Sequence, residues 1–287
     1  MLQDLTGADL FVYIQMQRQV DPRTVIVVEG AEDCGLIDAH INEGVAQSIP
    51  GYGKQSVLDA AAMFDHKGVE EVRLLIDADF DRQRGLTGQL PANIVMSEYH
   101  DLMADMFFTC PQALASVLSN FSNKEARLKH LEATETSPQQ HILNIAIPVG
   151  ATRYFSVVYG LSLKMRDFPV KPIISAYEGA GDVLQAVIKL ATHRSGLQDP
   201  PPELNGLKSH IESNDHDAKY LCSSHDLMAA AAAIQRRKWG GSAGTDVISA
   251  AFSAAVPCTC FQEAEPIRQL STWAEDLGRS IWTCPAA

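Results

Sequence analysis

Two short apolar runs, each closed abruptly by acids, restrict this chain more than any other feature. The first is Thr24-Val25-Ile26-Val27-Val28-Glu29-Gly30-Ala31-Glu32-Asp33. The second is Val72-Arg73-Leu74-Leu75-Ile76-Asp77-Ala78-Asp79-Phe80-Asp81. A short, continuous run rich in Val, Ile and Leu reads as a strand buried on both faces. Acids at the C-terminal end of such a strand sit at the rim of a sheet, where open α/β folds bind their ligands. Two adjacent rims would gather Glu29, Asp33, Asp77 and Asp79 into one small volume. Like charges repel there, so a divalent cation with oxygen ligands is their natural partner.

The residues around the runs support a parallel sheet. A first helix over 9–20 breaks at Asp21-Pro22, and a strand follows at 24–28. Glu32 to Glu43 reads as a helix with Leu36, Ile37 and Ile41 on one face, its N-terminus favoured by Glu32 and Asp33. A short strand at 45–49, the turn Pro50-Gly51-Tyr52-Gly53-Lys54, a helix from Ser56 to His66 and a strand at 71–76 complete a β-α-β-α-β pattern. Ile94-Val95-Met96 reads as another strand and Tyr99 to Phe108 as a helix. From 111 onward the pattern is mainly helical, with short strands expected within 153–172 and a surface linker at Gln198-Asp199-Pro200-Pro201-Pro202. The expected fold is α/β: a parallel core over 20–110, flanked by helices, and a mainly helical region over 111–287.

Composition narrows the function classes. With 46% hydrophobic and 20% charged residues, the chain is expected to be globular with a substantial core. No apolar run approaches the ~18 residues of a membrane span. Met1-Leu2-Gln3-Asp4 carries an acid where a leader would be basic, so no membrane and a cytoplasmic location are expected. The six cysteines are scattered without a zinc spacing and read as reduced thiols. A net charge of −12 argues against a broad, sequence-independent grip on nucleic acid. It leaves room for a nuclease whose metals screen its acids, and for docking on a basic partner.

Hard oxygen ligands suit Mg²⁺ or Mn²⁺, and such ions serve phosphodiester cleavage by activating water near the phosphate. Asp77-x-Asp79 follows a strand, so both carboxylates can converge on one ion. With a helix starting after Gly30, Asp33 projects from its first turn back toward the strand end, and the helix N-terminus favours bound phosphate. Either acid group by itself also fits a helix cap or a solvated turn.

Together these residues resemble a known family. Val-Val-Glu-Gly with an acid four residues after the Glu, followed by Leu-Ile-Asp-x-Asp, looks like a Toprim domain. Within that class the chain is most similar to the DUF4435 family of OLD-like Toprim proteins. Ile76-Asp77-Ala78-Asp79-Phe80-Asp81 resembles its Asp-x-Asp-Phe-Asp form, and Asn93 to Leu102 its strand followed by Tyr-x-Asp-Leu. Lys54 after glycines and Ser224-His225-Asp226-Leu227 add to the likeness, which spans roughly 20–240. The family includes the nuclease effector of the PARIS anti-phage system, a toxic dimeric enzyme that cleaves tRNA and pairs with an ABC-type ATPase. The resemblance therefore implies a Mg²⁺-dependent (or Mn²⁺-dependent) Toprim endonuclease acting on RNA such as tRNA, or on DNA. It implies a homodimer when active and an ABC-type ATPase partner. It makes Glu29 a ligand or general base, Asp33, Asp77 and Asp79 metal ligands, and Asp81 a supporting or spare ligand. One position departs from the family: Met103 stands where an acid is frequent, and Glu98, Asp101 and Asp105 are possible substitutes. The alternative reading is a catalytically degenerate Toprim protein that binds a partner or nucleotide and cuts nothing.

The remaining features are less specific. Gly51-Tyr52-Gly53-Lys54 lacks P-loop spacing, so ATP hydrolysis is not expected. Lys54 is either a turn residue or a catalytic cation that stabilises transition-state charge on the phosphate. Arg82 and Arg84 are placed to meet a nucleic-acid backbone. His225 is a candidate substrate contact, and Asp226 reads as a helix cap. Arg236-Arg237-Lys238 reads as a solvated helix end or an RNA phosphate contact.

Overall fold

The computed structural model describes residues 6–178, 182–213 and 218–283. The described chain forms two compact units. Residues 6–109 join 256–283 in the first, and Cys110–Ala255 forms the second. The region expected over 111–287 is therefore divided at Val256, after which the chain returns to the unit that holds the sheet.

In the first unit the elements run α1 (Gly7–Arg18), β1 (Thr24–Val28), α2 (Ala31–Asp38), β2 (Ala46–Pro50), α3 (Lys54–His66), β3 (Val72–Ile76), β4 (Ile94–Met96) and α4 (Leu102–Thr109). The strands form one parallel sheet in the order β2-β1-β3-β4. All five residues of β1 are buried, as a continuous apolar run requires. Side chains alternate across a strand. Val25, Val27, Leu74 and Ile76 accordingly share a cluster with Leu10 and Ile14 of α1 and Phe64 of α3. Each such fully buried side chain contributes about 1.5–3 kcal/mol.

The strand order has one mechanical result. From β1 the chain moves to β2 on one side, whereas from β3 it moves to β4 on the other. The loops leaving the C-terminal ends of β1 and β3 thus diverge, which opens a crevice between them. Glu29 follows β1 and Asp77 follows β3, so both acids stand at that crevice.

Residues 256–283 close the first unit. They carry α13 (Cys258–Glu263) and α14 (Glu265–Asp276), two helices in place of the single one expected over 263–281. Pro266 falls in the first turn of α14, where its missing N–H costs nothing. Trp273 is buried and its Nε1 donates to Glu70 O at 2.8 Å. Phe261 stacks on His40 at 4.1 Å, and Ile41 bridges to Trp282.

The second unit is built from α5 (Pro111–Phe121), α6 (Lys124–Thr134), α7 (Pro138–Val158), α8 (Ile174–Glu178), α9 (Val183–Arg194), α10 (Leu207–Ser213), α11 (Ser224–Lys238) and α12 (Thr245–Ala255), with short 3-10 turns between them. The strands expected within 153–172 are not present among its described residues. The β-branched and aromatic stretch after Arg153 instead continues α7, which runs 21 residues through Pro148 and buries Thr152, Phe155 and Ser156. Of the expected linker, 198–201 is a loop inside this unit and Pro202 opens a 3-10 turn. Gly150 is required where α7 meets the chain after α10, because a Cβ there would lie 2.1 Å from Leu221 O.

Cys34, Cys110, Cys222 and Cys260 are free and buried, in line with the reduced-thiol expectation. Cys258 departs from it, being disulfide-bonded. Cys284 and Met1-Leu2-Gln3-Asp4 lie outside the described residues. Among the described residues no single helix is long and apolar enough to cross a membrane.

The return segment gives a first prediction. Trp273→Ala should destabilise the first unit by about 3–5 kcal/mol, the usual range for removing a buried Trp. Denaturant unfolding followed by circular dichroism reads this, and an unchanged midpoint would mean that 256–283 is not integral to the unit.

Candidate active site

The crevice collects its acids through main-chain geometry. Beyond β1, Gly30 precedes the first turn of α2 in an extended conformation, and its N–H donates to Asp33 Oδ2 at 3.0 Å. Asp33 therefore points back to the strand end, as its spacing predicts, and caps α2 at the same time. Beyond β3, Glu29 Oε1 accepts the N–H of Asp77 at 2.9 Å. This one bond joins the two acidic motifs across 48 residues. Asp79 then adopts a left-handed conformation (φ 47°), and its N–H donates to His100 O at 2.8 Å. Asp tolerates that conformation better than most residues.

Lys54 is the cation at this site. The turn before it brings the end of β2 back against β1: Gly51 N–H donates to Val28 O and Gly53 N–H to Glu29 O. A Cβ on Gly51 would lie 2.2 Å from Val57 Cγ2, and Gly53 has a φ of 120°, so both positions favour glycine. Lys54 opens α3 and reaches across to β3. Its Nζ donates to Asp77 O at 2.6 Å and to the carboxylates of Asp79 and Asp81, each at 2.8 Å. Burial alone would lower its pKa, but the bonds and charges of Asp79 and Asp81 hold it above the usual value. Lys54 is thus a partly buried residue directly after the turn, paired with Asp79 and Asp81.

Burial sets the state of the acids. It pushes the Glu29 carboxyl up to about 7, against the opposing Asp77 N–H bond and with the charges of Asp79 and Asp33 adding to the effect. It pushes Asp33 up to about 6, with the charges of Asp101 and Glu32 adding and the Gly30 N–H bond opposing. Asp77 is raised well above the ordinary range, first by burial and then by the charges of Asp101, Glu29, Asp33 and Asp79. Asp101 thus belongs to the same electrostatic group. It opens α4, where its Oδ1 accepts the N–H of Ala104 at 2.8 Å.

Asp105 behaves differently from Asp101. It is buried and its two oxygens accept the N–H groups of Glu98 and Tyr99, at 3.1 and 2.7 Å. Burial pushes its carboxyl up to about 8 despite those bonds. Its part is to hold the segment between β4 and α4. Ser97 has a similar part that its position in the sequence did not reveal. Its Oγ accepts the N–H of Ala78 and donates to Tyr99 O, tying the end of β3 to the chain after β4. A serine directly after a strand is the only signal that could have marked it.

The other predicted site residues separate. Arg82 folds back, its Nε and Nη2 donating to Ser97 O at 3.2 and 2.9 Å. Arg84 is exposed nearby in the chain. His225 belongs to the second unit, at the exposed start of α11. Asp226 is not the cap of that helix: Ser223 Oγ caps it, and the fully buried Asp226 pairs with Arg153.

All the candidate donors in the crevice are carboxylate oxygens, which suit Mg²⁺ or Mn²⁺ by chemical type. Among the described residues no three His, Cys, Asp or Glu side chains are arranged as a metal-holding group. The fold and site thus define an α/β protein with a carboxylate crevice at the switch point of a parallel sheet. No protein-family model matches the chain, and no curated protein matches it.

The buried acids predict a pH dependence. A carboxyl whose folded pKa exceeds its unfolded value holds a proton longer in the folded state, so stability falls as pH rises through that window. Without divalent metal, the first unit should therefore melt at a higher temperature at pH 5 than at pH 8. Asp105→Asn, which stays neutral as the protonated carboxyl does, should flatten the slope between pH 5 and 8. Calorimetry in EDTA across that range checks both; an unaltered slope in Asp105→Asn would contradict the assignment.

Proposed function

We propose that the crevice is the site of a Toprim-type, Mg²⁺- or Mn²⁺-dependent endonuclease. The observation that carries the reading is the Glu29–Asp77 hydrogen bond, which fuses the Val-Glu-Gly and Asp-x-Asp motifs into one acidic group at the sheet's switch point. Asp33, Asp77 and Asp79 would hold the ion, with Glu29 beside them and Asp101 as the nearest substitute for the acid absent at Met103. When bound, the ion polarises the phosphate and lowers the pKa of water. Glu29 takes the proton of the attacking water as its oxygen bonds to phosphorus. The bridging P–O bond then breaks, and the leaving oxygen takes a proton from solvent. Lys54 exchanges its contact with Asp79 for a phosphate oxygen and stabilises the charge gathering there. Arg84, exposed after Asp81, steers the nucleic-acid backbone.

The likeness to the DUF4435 and PARIS Toprim proteins supplies the wider proposal. It is a toxic anti-phage effector acting in the cytoplasm on tRNA, other RNA or DNA, dimeric when active and held by an ABC-type ATPase partner. The second reading, a non-cutting binding module, is favoured by one observation: Lys54 already supplies Asp79 and Asp81 with a cation.

The readings part in a cleavage assay on tRNA, single-stranded and duplex substrates with Mg²⁺, Mn²⁺ or EDTA. The nuclease reading expects metal-dependent cleavage that falls by about 10²-fold or more in Glu29→Ala, the range for losing a proton-transfer group. Asp77→Ala should do the same. Cleavage of none of the substrates, or cleavage that survives both substitutions, would remove it.

A further inference from the structure

A cavity of about 570 Å³ lies in the second unit, well away in sequence from the acidic motifs. Its size falls within the ~300–1,000 Å³ of small-molecule sites. One wall is a single face of α11: His225, Ala229, Ala232, Ala233 and Arg236 all line it. These positions are spaced by four, three, one and three residues, so they form one stripe along the helix. Alanine in the middle of the stripe leaves room, and a cationic or protonatable side chain stands at each end. The span from His225 to Arg236 is eleven rises, about 16 Å.

The facing wall divides by polarity in the same way. Phe168, Val170 and Ile174 line the cavity and are buried, whereas Lys171 is exposed. Arg237 is a further exposed lining residue. Among the described residues no Asp or Glu lines the cavity, in a chain with 35 acids against 23 bases. The acid nearest His225 on α11, Asp226, is fully buried and engaged by Arg153. Arg236 Nε donates to Ala243 O at 2.8 Å. That contact does not use the paired Nη1–Nη2 edge with which a guanidinium grips phosphate, sulfonate or carboxylate. A solvated helix end accounts for three basic residues in its last turn. It does not account for Lys171 on the opposite wall, or for the apolar floor between the cations.

We infer that this cavity binds a small organic anion with an apolar body, its charged head on Arg236 and Lys171 at the rim and its body against Phe168, Val170 and the alanines of α11. Phosphate and carboxylate heads share this chemistry. None of its lining residues belongs to the carboxylate crevice, and the inference does not depend on the nuclease reading.

The test uses the full chain and 8-anilinonaphthalene-1-sulfonate, an aromatic body with an anionic head. Its fluorescence should rise saturably with one site per chain. Arg236→Glu should weaken binding at least tenfold, and Ala233→Trp, which fills the cavity from a partly exposed position, should abolish it. Lys171→Glu, on the other wall, provides the same comparison should Arg236→Glu shift the unfolding midpoint. Glu29→Ala should bind the probe like the unaltered chain, which separates this inference from the proposed cleavage. Displacement by adenosine monophosphate identifies an organic phosphate as the ligand type, and displacement by laurate a fatty carboxylate. Fluorescence that does not saturate, or that is indifferent to Arg236→Glu, Lys171→Glu and Ala233→Trp alike, overturns the inference.

Discussion

Everything at the sheet's open end depends on how the chain keeps several carboxylates together in a partly dry crevice. Two unit charges ~4 Å apart interact by about 4 kcal/mol at an effective dielectric constant near 20. That exceeds what one buried strand side chain contributes. The structure meets this repulsion in three ways. Main-chain N–H groups of Gly30, Asp77 and Leu102 face carboxylate oxygens of Asp33, Glu29 and Asp77. Lys54 brings a full positive charge to Asp79 and Asp81. Burial raises the proton affinity of Glu29, Asp33 and Asp77. The glycines before Lys54 and the left-handed Asp79 let the chain bring these partners into the crevice that the strand order opens.

The sheet was legible because its signals are local. An unbroken run such as Thr24–Val28 satisfies its burial by itself, and β1 and β4 fall on the residues their apolar runs mark. Asp33 was legible for the same reason, since an acid in the first turn of a helix that starts just after the strand end is placed to turn back toward it. The stretch after Arg153 was misread because β-branched and aromatic residues suit a strand and a buried helix face equally. Only its packing in α7 decides between them. Asp226 was misread because a cap and a buried acid look alike until Arg153, 73 residues earlier, is seen to meet it.

The tie between Ser97 and Ala78, the ion pairs of Lys54, and the division of the chain at Val256 share one property. Each joins residues distant in sequence through a contact that no residue type announces. Lys54 could be placed near a turn, but its choice of Asp79 and Asp81 depends on the parallel register of β1 with both β2 and β3. The site's chemistry was thus readable as an inventory of acids, while its wiring was not.

The return of residues 256–283 to the first unit also bears on how the chain acquires its fold. Trp273 bonds to Glu70, and Trp282 sits beside Ile41, across separations of some two hundred residues. Such non-local contacts slow folding, because a long loop must close before they form. During synthesis the sheet and its crevice emerge first, yet the segment that covers the far end of β3 appears only after the whole second unit. The crevice therefore spends most of translation on an unfinished support, and the second unit can fold while the first still waits for its last two helices.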